Sequence, residues 1–233
     1  MKLEKSVLDR AGRFRGEIFE KQSALYRGLA HHGQAPKALM ISCADSRVVP
    51  EIITQSGPGE LFVCRNAGNI VPPFSQANGG VSSAVEYAVV ALKVRDIVVC
   101  GHSDCGAMKA FLQPEKLAEM PNVAAWLRHA HAAECVVNAA YPPLEETAKV
   151  RALALENVVA QIQHLRTHPS VAAALARGEL TLHGWFFEID SGSILTLNGA
   201  TGTFAAVEEH APPSVAFTSG KIAAPELRAP AGF

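Results

Sequence analysis

The stretch from Ala38 to Arg47 reads ALMISCADSR. An uncharged run that ends in a cysteine is followed at once by the charged pair Asp45 and Arg47. Apolar runs of this length, bounded by Pro, Gly or charge, read as strands buried on both faces. Two more lie downstream, Glu60 to Cys64 (ELFVC) and Asp96 to Cys100 (DIVVC), each separated from the last by a helix-length stretch. Between them, Gly80 to Val94 sets Val81, Ala84, Val85, Ala88, Val89 and Leu92 on one stripe at helical spacing, as expected of a crossover helix lying on a sheet. Such βαβ units predict an α/β fold with a mainly parallel central sheet and flanking helices.

After Gly106 the chain turns Ala-rich and helical, over Met108 to Leu112, Val123 to Asn138 and Leu144 to His168. Thr181 to Ile189 and Ser193 to Leu197 are then joined by Asp190-Ser191-Gly192, a connection with hairpin chemistry, which predicts an antiparallel edge strand. Ahead of the first strand, residues 1–30 alternate charge with Leu3, Val7, Leu8, Phe14, Ile18, Phe19 and Leu25 and read as an N-terminal helical arm. Residues 211–233 hold four prolines and read as an extended tail. The whole, 1–233, reads as a single domain with no internal repeat.

With 48% hydrophobic and 18% charged residues, the chain is too apolar for a disordered polyampholyte. Its 21 basic and 22 acidic residues give a net charge of −1, so no overall field draws in nucleic acid or anionic lipid. The longest uncharged stretch, Asn66 to Val85, is broken by prolines and glycines and falls short of the roughly 20 apolar residues of a membrane span. The arm fits neither a secretory nor a transit peptide, so the expected setting is cytoplasmic. Five cysteines, an odd number, then favour thiol or metal chemistry over a disulfide framework.

In open α/β sheets, ligands collect beyond the carboxyl ends of the strands. The loop leaving the first strand, Cys43 to Arg47, and the loop leaving the third, His102 to Gly106, should open on one crevice and bring Cys43, His102 and Cys105 together. Two thiolates and an imidazole form a zinc set, and three protein ligands leave a fourth position for water or substrate. Asp45 could fill that position, or Arg47 could hold it away through a bidentate pair. Both arrangements suit the sequence. Cys64, Cys100 and Cys135 read as packing residues.

Four segments, CADSR (Cys43 to Arg47), RNAGN (Arg65 to Asn69), EYAV (Glu86 to Val89) and GHSDCG (Gly101 to Gly106), resemble the β-class carbonic anhydrases and occur in that family's order. The resemblance spans Gln34 to Leu197 and implies one Zn²⁺ per subunit on Cys43, His102 and Cys105. It makes Asp45 and Arg47 a catalytic dyad that orients the hydroxide attacking CO₂, with Asp45 on the metal only in a closed site. Substrate-side positions map onto Gln34, Phe62, Ala67, Tyr87 and Gly106. It further implies a homodimer or homotetramer, with the arm wrapped over a partner and the cleft near the interface. Family members that close cooperatively on bicarbonate use a Trp, an Arg and a Tyr where this chain has Met40, Arg65 and Phe187, so an open site is expected.

The expected reaction is therefore reversible hydration of CO₂ to bicarbonate. Two alternatives stand beside it. One is hydrolysis of a sulfur analogue, CS₂ or COS, on the same fold; the other is a non-catalytic zinc-binding module, disfavoured by the presence of both Asp45 and Arg47. His31, His32 and His183 are the histidines considered for moving protons to buffer.

Overall fold

A computed structural model describes residues 5–75 and 79–207. Strand β1 (Ala38–Cys43), buried from Leu39 onward, has β2 (Leu61–Asn66) parallel on one side and β3 (Asp96–His102) parallel on the other. Next to β3 runs β4 (Thr181–Phe187), also parallel, and then β5 (Ile194–Leu197) and β6 (Phe204–Ala206), both antiparallel. The sheet order is β2-β1-β3-β4-β5-β6. The antiparallel edge is as expected, but β6, rather than β5, forms it. Phe204-Ala205-Ala206 is too short and too uniform to show the alternation that marks a strand.

Strand ends also differ. β2 continues through Arg65 and Asn66, and β3 through Gly101 and His102, which places His102 on the strand rather than in the loop. Glycine reads as punctuation in a sequence, but here it marks a close approach. A Cβ on Gly101 would lie 2.7 Å from Val158 Cγ2.

The crossover is α4 (Gly80–Glu86), which widens into a π turn over Tyr87–Ala91 in place of a straight α-helix to Val94. Leu92 N–H donates to Tyr87 O at 3.0 Å. The helical layer comprises α5 (Gly106–Phe111), α6 (Pro121–Leu127), α7 (His131–Ala140), α8 (Glu146–Arg166) and α9 (Pro169–Ala176). A 3₁₀ turn at Arg128–Ala130 splits the helix expected over Val123 to Asn138. The arm is α1 (Lys5–Phe14), a π turn and α2 (Glu20–His32), and a short α3 (Pro50–Ile53) follows β1. The tail expected over 211–233 lies outside the described residues.

Leu39, Ile41, Ile97, Val99 and Leu182 pack on one sheet face against Val81, Val85 and Ala88 of the crossover and Val158, Ile162 and Leu165 of α8. Each large aliphatic so buried contributes roughly 1.5–3 kcal/mol. A second cluster joins Cys43 and Cys105 to Met108, Leu127, Leu153 and Phe186. The other face carries a smaller group, Met40, Val98 and Cys100, with Leu61, Trp185 and Phe187 against it. The site is thus built against two buried clusters at the carboxyl ends of β1 and β3. Among the described residues no helix is long and apolar enough to cross a membrane.

Candidate active site

From β1 the chain moves to β2 on one side and later returns to β3 on the other, so β1 sits where the strand order reverses and the loops after β1 and β3 diverge from a crevice. Ligand atoms of Cys43, His102 and Cys105 lie within 4.8 Å of one another there, and all three residues are buried. His102 Nδ1 is 2.8 Å from the Ser103 carbonyl oxygen, which can only accept, so Nδ1 carries the proton and Nε2 keeps its lone pair. Nε2 is buried without a partner. An unmet buried acceptor costs about 1–3 kcal/mol, and a metal ion would satisfy it.

The two thiols point to the same conclusion. A hydrogen bond with Cys105 draws the Cys43 thiol well below its usual range, with further help from His102 and the N–H groups of Gly68 and Asp45 and against the opposing effect of burial. Cys105 is pushed up by that same bond to Cys43 and by burial. The two sulfurs thus lie close enough together to bind a single divalent cation. One imidazole and two thiolates are soft enough, and few enough, for an open tetrahedral zinc site. The donor set fits.

The RNAGN segment lies over Cys43. Asn66 pairs with Cys43 in register, and Gly68 N–H donates to Cys43 Sγ at 3.4 Å. Gly68 takes φ +78, and a Cβ there would lie 3.0 Å from Met108 Cε, so only glycine fits this approach. Arg65 donates from Nε to Cys43 O (3.1 Å) and from Nη2 to Asp45 O (2.7 Å), fixing the backbone on which both residues sit.

Arg47 holds Asp45 through three bonds. Its backbone N–H and Nε donate to Oδ1 at 3.0 and 2.9 Å, and Nη2 donates to Oδ2 at 2.7 Å. These side-chain bonds first, then the backbone one, keep the Asp45 carboxyl far below the usual carboxylate range. Arg47 is itself gripped by Asp104, through Nη1 to Oδ2 at 2.8 Å and Nη2 to the carbonyl oxygen at 3.2 Å, while Lys109 donates to the other Asp104 oxygen. Asp104 sits at φ +57, a left-handed conformation that aspartate tolerates better than most residues. Sequence reasoning did not single out Asp104 or Lys109, because a loop carboxylate beside a cysteine carries no periodic signal.

Of the substrate-side positions, Ala67 and Gly106 adjoin the three ligands. Ala67 follows Asn66, and Gly106 follows Cys105 at the start of α5, where a Cβ would meet nothing within 4 Å. Gln34, Phe62 and Tyr87 are elsewhere. Phe62 pairs with Leu39, four residues before Cys43 and so about 13 Å back along the strand. Tyr87 stacks near it, with ring centroids 5.8 Å apart and half its surface exposed, and exposed Gln34 precedes β1 altogether. His183 pairs with Val98 in register and bonds Asp96 at 2.8 Å, at the end of the sheet away from His102. Cys100 is buried, and burial pushes its thiol up to about 12; Cys64 is half-buried. Cys135 is exposed on α7, 3.7 Å from His131 Nε2, which corrects its reading as a packing residue. It falls on the solvent side of a helix whose inward positions are Ala133 and Val137.

The sequence model of the carbonic anhydrase family matches residues 38–194. A carbonic anhydrase of Pseudomonas aeruginosa is 52% identical over 206 residues, covering 88% of this chain and 93% of the relative. The structure is similar to that of the β-carbonic anhydrase CcaA, with a TM-score of 0.84 and 42% identity over 88% of this chain and 92% of that one. It is also similar to a tetrameric β-carbonic anhydrase from Sordaria macrospora, with a TM-score of 0.74 and 32% identity over 86% of this chain and 98% of that one. Match length, identity and structural similarity agree with the buried cysteine–histidine–cysteine cluster: the chain belongs to the β-carbonic anhydrase family.

Proposed function

We propose that this chain catalyses the reversible hydration of CO₂ to bicarbonate and a proton, using one Zn²⁺ per subunit on Cys43, His102 and Cys105. The observation that carries this reading is the convergence of those three buried side chains, with His102 Nε2 aimed into the cluster and unpartnered. Zinc, when bound there, supplies the Lewis acidity that makes hydroxide available from water near neutral pH. Cys43 and Cys105 offset much of the ion's formal charge, so activity rises toward alkaline pH. Asp45, already ionised and fixed by Arg47, accepts a hydrogen bond from the nucleophile and aims its lone pair at the carbon of CO₂. Arg47 also keeps the carboxylate off the metal, leaving the site open. Ala67 and Gly106, both small, leave room for a linear, uncharged substrate.

Arg65 is engaged with two backbone carbonyls, and Met40 and Phe187 lie in or against one apolar cluster, so no set of polar donors gathers there to hold a second bicarbonate. That supports an open site. Gln34, Phe62 and Tyr87 are about a strand's length from Cys43 within the chain, so they reach substrate only in the cleft of a second copy. This supports a homodimer or a homotetramer, in keeping with the tetrameric relative. Five free cysteines suit a reducing, cytoplasmic setting. Metal analysis and stopped-flow CO₂ hydration on Cys43→Ala and His102→Ala test the assignment: zinc and activity are expected to be lost together. Full zinc occupancy with wild-type rates in either variant would overturn it.

A further inference from the structure

The peptide between Ala67 and Gly68 is hydrogen-bonded at both ends. Its N–H donates to Cys43 Sγ, and its carbonyl accepts the Trp126 indole N–H at 2.9 Å. The next carbonyl, that of Gly68, accepts Asn157 Nδ2 at 2.9 Å. Trp126 comes from α6 and Asn157 from α8.

Asn157 and its neighbour Gln161 are completely buried in a helix whose inward face is otherwise mostly aliphatic. Burying two amides there is unfavourable unless they are well paired. Asn157 Oδ1 accepts Gln161 Nε2 at 2.8 Å, which leaves Nδ2 to face Gly68. Gln161 Nε2 also donates to His129 O at 3.1 Å, and its Oε1 accepts Val71 N–H at 2.8 Å. The pair therefore grips the RNAGN segment at Gly68 and the chain just beyond it at Val71. Gly68 is closed in by Met108 and Ala107, so the segment is confined from that side as well.

We propose that Trp126 and Asn157 are positioning residues for the metal site: together they clamp Gly68 so that its N–H stays on Cys43 Sγ and tunes that thiolate as a zinc ligand. A planar peptide transmits the effect directly. Accepting a bond at its carbonyl polarises the unit and strengthens its N–H as a donor. A donor on sulfur withdraws charge from the thiolate, so the sulfur gives less to the metal and the metal stays more acidic. In a site with two thiolates this moderates the loss of Lewis acidity that the ligands themselves cause. Second-sphere contacts of this kind commonly change metal affinity by about 10–100-fold.

The inference rests on the reading of Cys43, His102 and Cys105 as metal ligands, and the test separates the two. Trp126→Phe keeps a ring against His129 and removes only the indole donor; Asn157→Ala removes the second grip. In cobalt-loaded protein, the sulfur-to-cobalt charge-transfer band is expected to move to lower energy in Trp126→Phe, because the thiolate is less stabilised. Zinc release to a chromophoric chelator, measured alongside, reports how tightly the loop is packed. An unmoved band in Trp126→Phe overturns the proposal even if zinc leaves faster, since that would be loss of loop packing alone. If Asn157→Ala does not fold, the Trp126→Phe band decides. Wild-type protein that takes up no cobalt overturns the metal reading and this inference with it, whereas a normal wild-type band with an unshifted variant band overturns the clamp alone.

Discussion

Arg47 joins the two loops that build the site, with Asp45 of the first and Asp104 of the second both drawing on its guanidinium. Removing it frees a carboxylate two residues from Cys43 to swing toward the metal. Arg47→Ala is therefore expected to retain zinc while CO₂ hydration falls by about 100-fold, the scale on which lost orientation acts. An unimpaired stopped-flow rate would show the ion pair to be purely structural. At this scale the sequence was informative wherever residue type carries chemistry: Cys43, His102 and Cys105 declare themselves as soft ligands at strand ends. Trp126, Asn157 and Asp104 do not, because an indole, an amide or a carboxylate gains its role only from what folding places beside it.

Among the elements, β3 and α8 approach each other closely. Gly101 faces Val158 Cγ2 at 2.7 Å, the Ala154 carbonyl oxygen at 3.3 Å and Phe186 at 3.3 Å, measured from a built Cβ. Val158 is buried and stiff at χ1, so it has no easy escape. Gly101→Ala is expected to destabilise the fold by about 1–3 kcal/mol in urea denaturation, the usual cost of overpacking; an unchanged midpoint would mean that α8 can slide. This contact also explains why strand existence was legible and strand ends were not. Apolar runs identified β1 to β4, whereas Gly101 read as a break because its neighbour lies 57 residues away in sequence. α8 carries a titratable device as well. His164 is half-buried with Nδ1 2.8 Å from the Val71 carbonyl oxygen, and desolvation lowers its pKa below 6.5, helped by His168 and opposed by that bond; His129 is lowered likewise, by burial and then by His164 and Arg128. The unfolded chain binds protons more readily at these positions, so stability is full above about pH 6.5 and falls as pH drops below it. The melting temperature should decline between pH 7 and 5, and less steeply in His164→Asn, whose amide can still donate to Val71; identical slopes would remove His164 from the account.

Across the whole molecule, the proposed substrate-side residues lie at two different ends of the sheet. Ala67 and Gly106 stand at the three ligands, whereas Phe62, Tyr87 and Gln34 gather at the opposite end of β1 and β2, with Tyr87 half exposed at the head of a π turn. π turns of this kind often mark functional positions. β2 is an edge strand, and Val90, three residues after Tyr87, is exposed. A two-fold pair that places this region of each chain over the other's cleft would use each residue once in each site. The proposed sharing makes a quantitative forecast. Cys43→Ala lacks the metal ligand but keeps Tyr87 and Phe62; a Phe62→Ala, Tyr87→Ala double variant keeps the ligand but lacks the rings. Each alone should hydrate CO₂ poorly. Unfolded together in equal amounts and refolded with zinc, they should recover about a quarter of the wild-type rate, because random pairing makes half the dimers mixed and each mixed dimer holds one complete site. Recovery no greater than the mean of the two parents would place Phe62 and Tyr87 outside the partner's cleft and confine each active site to a single chain.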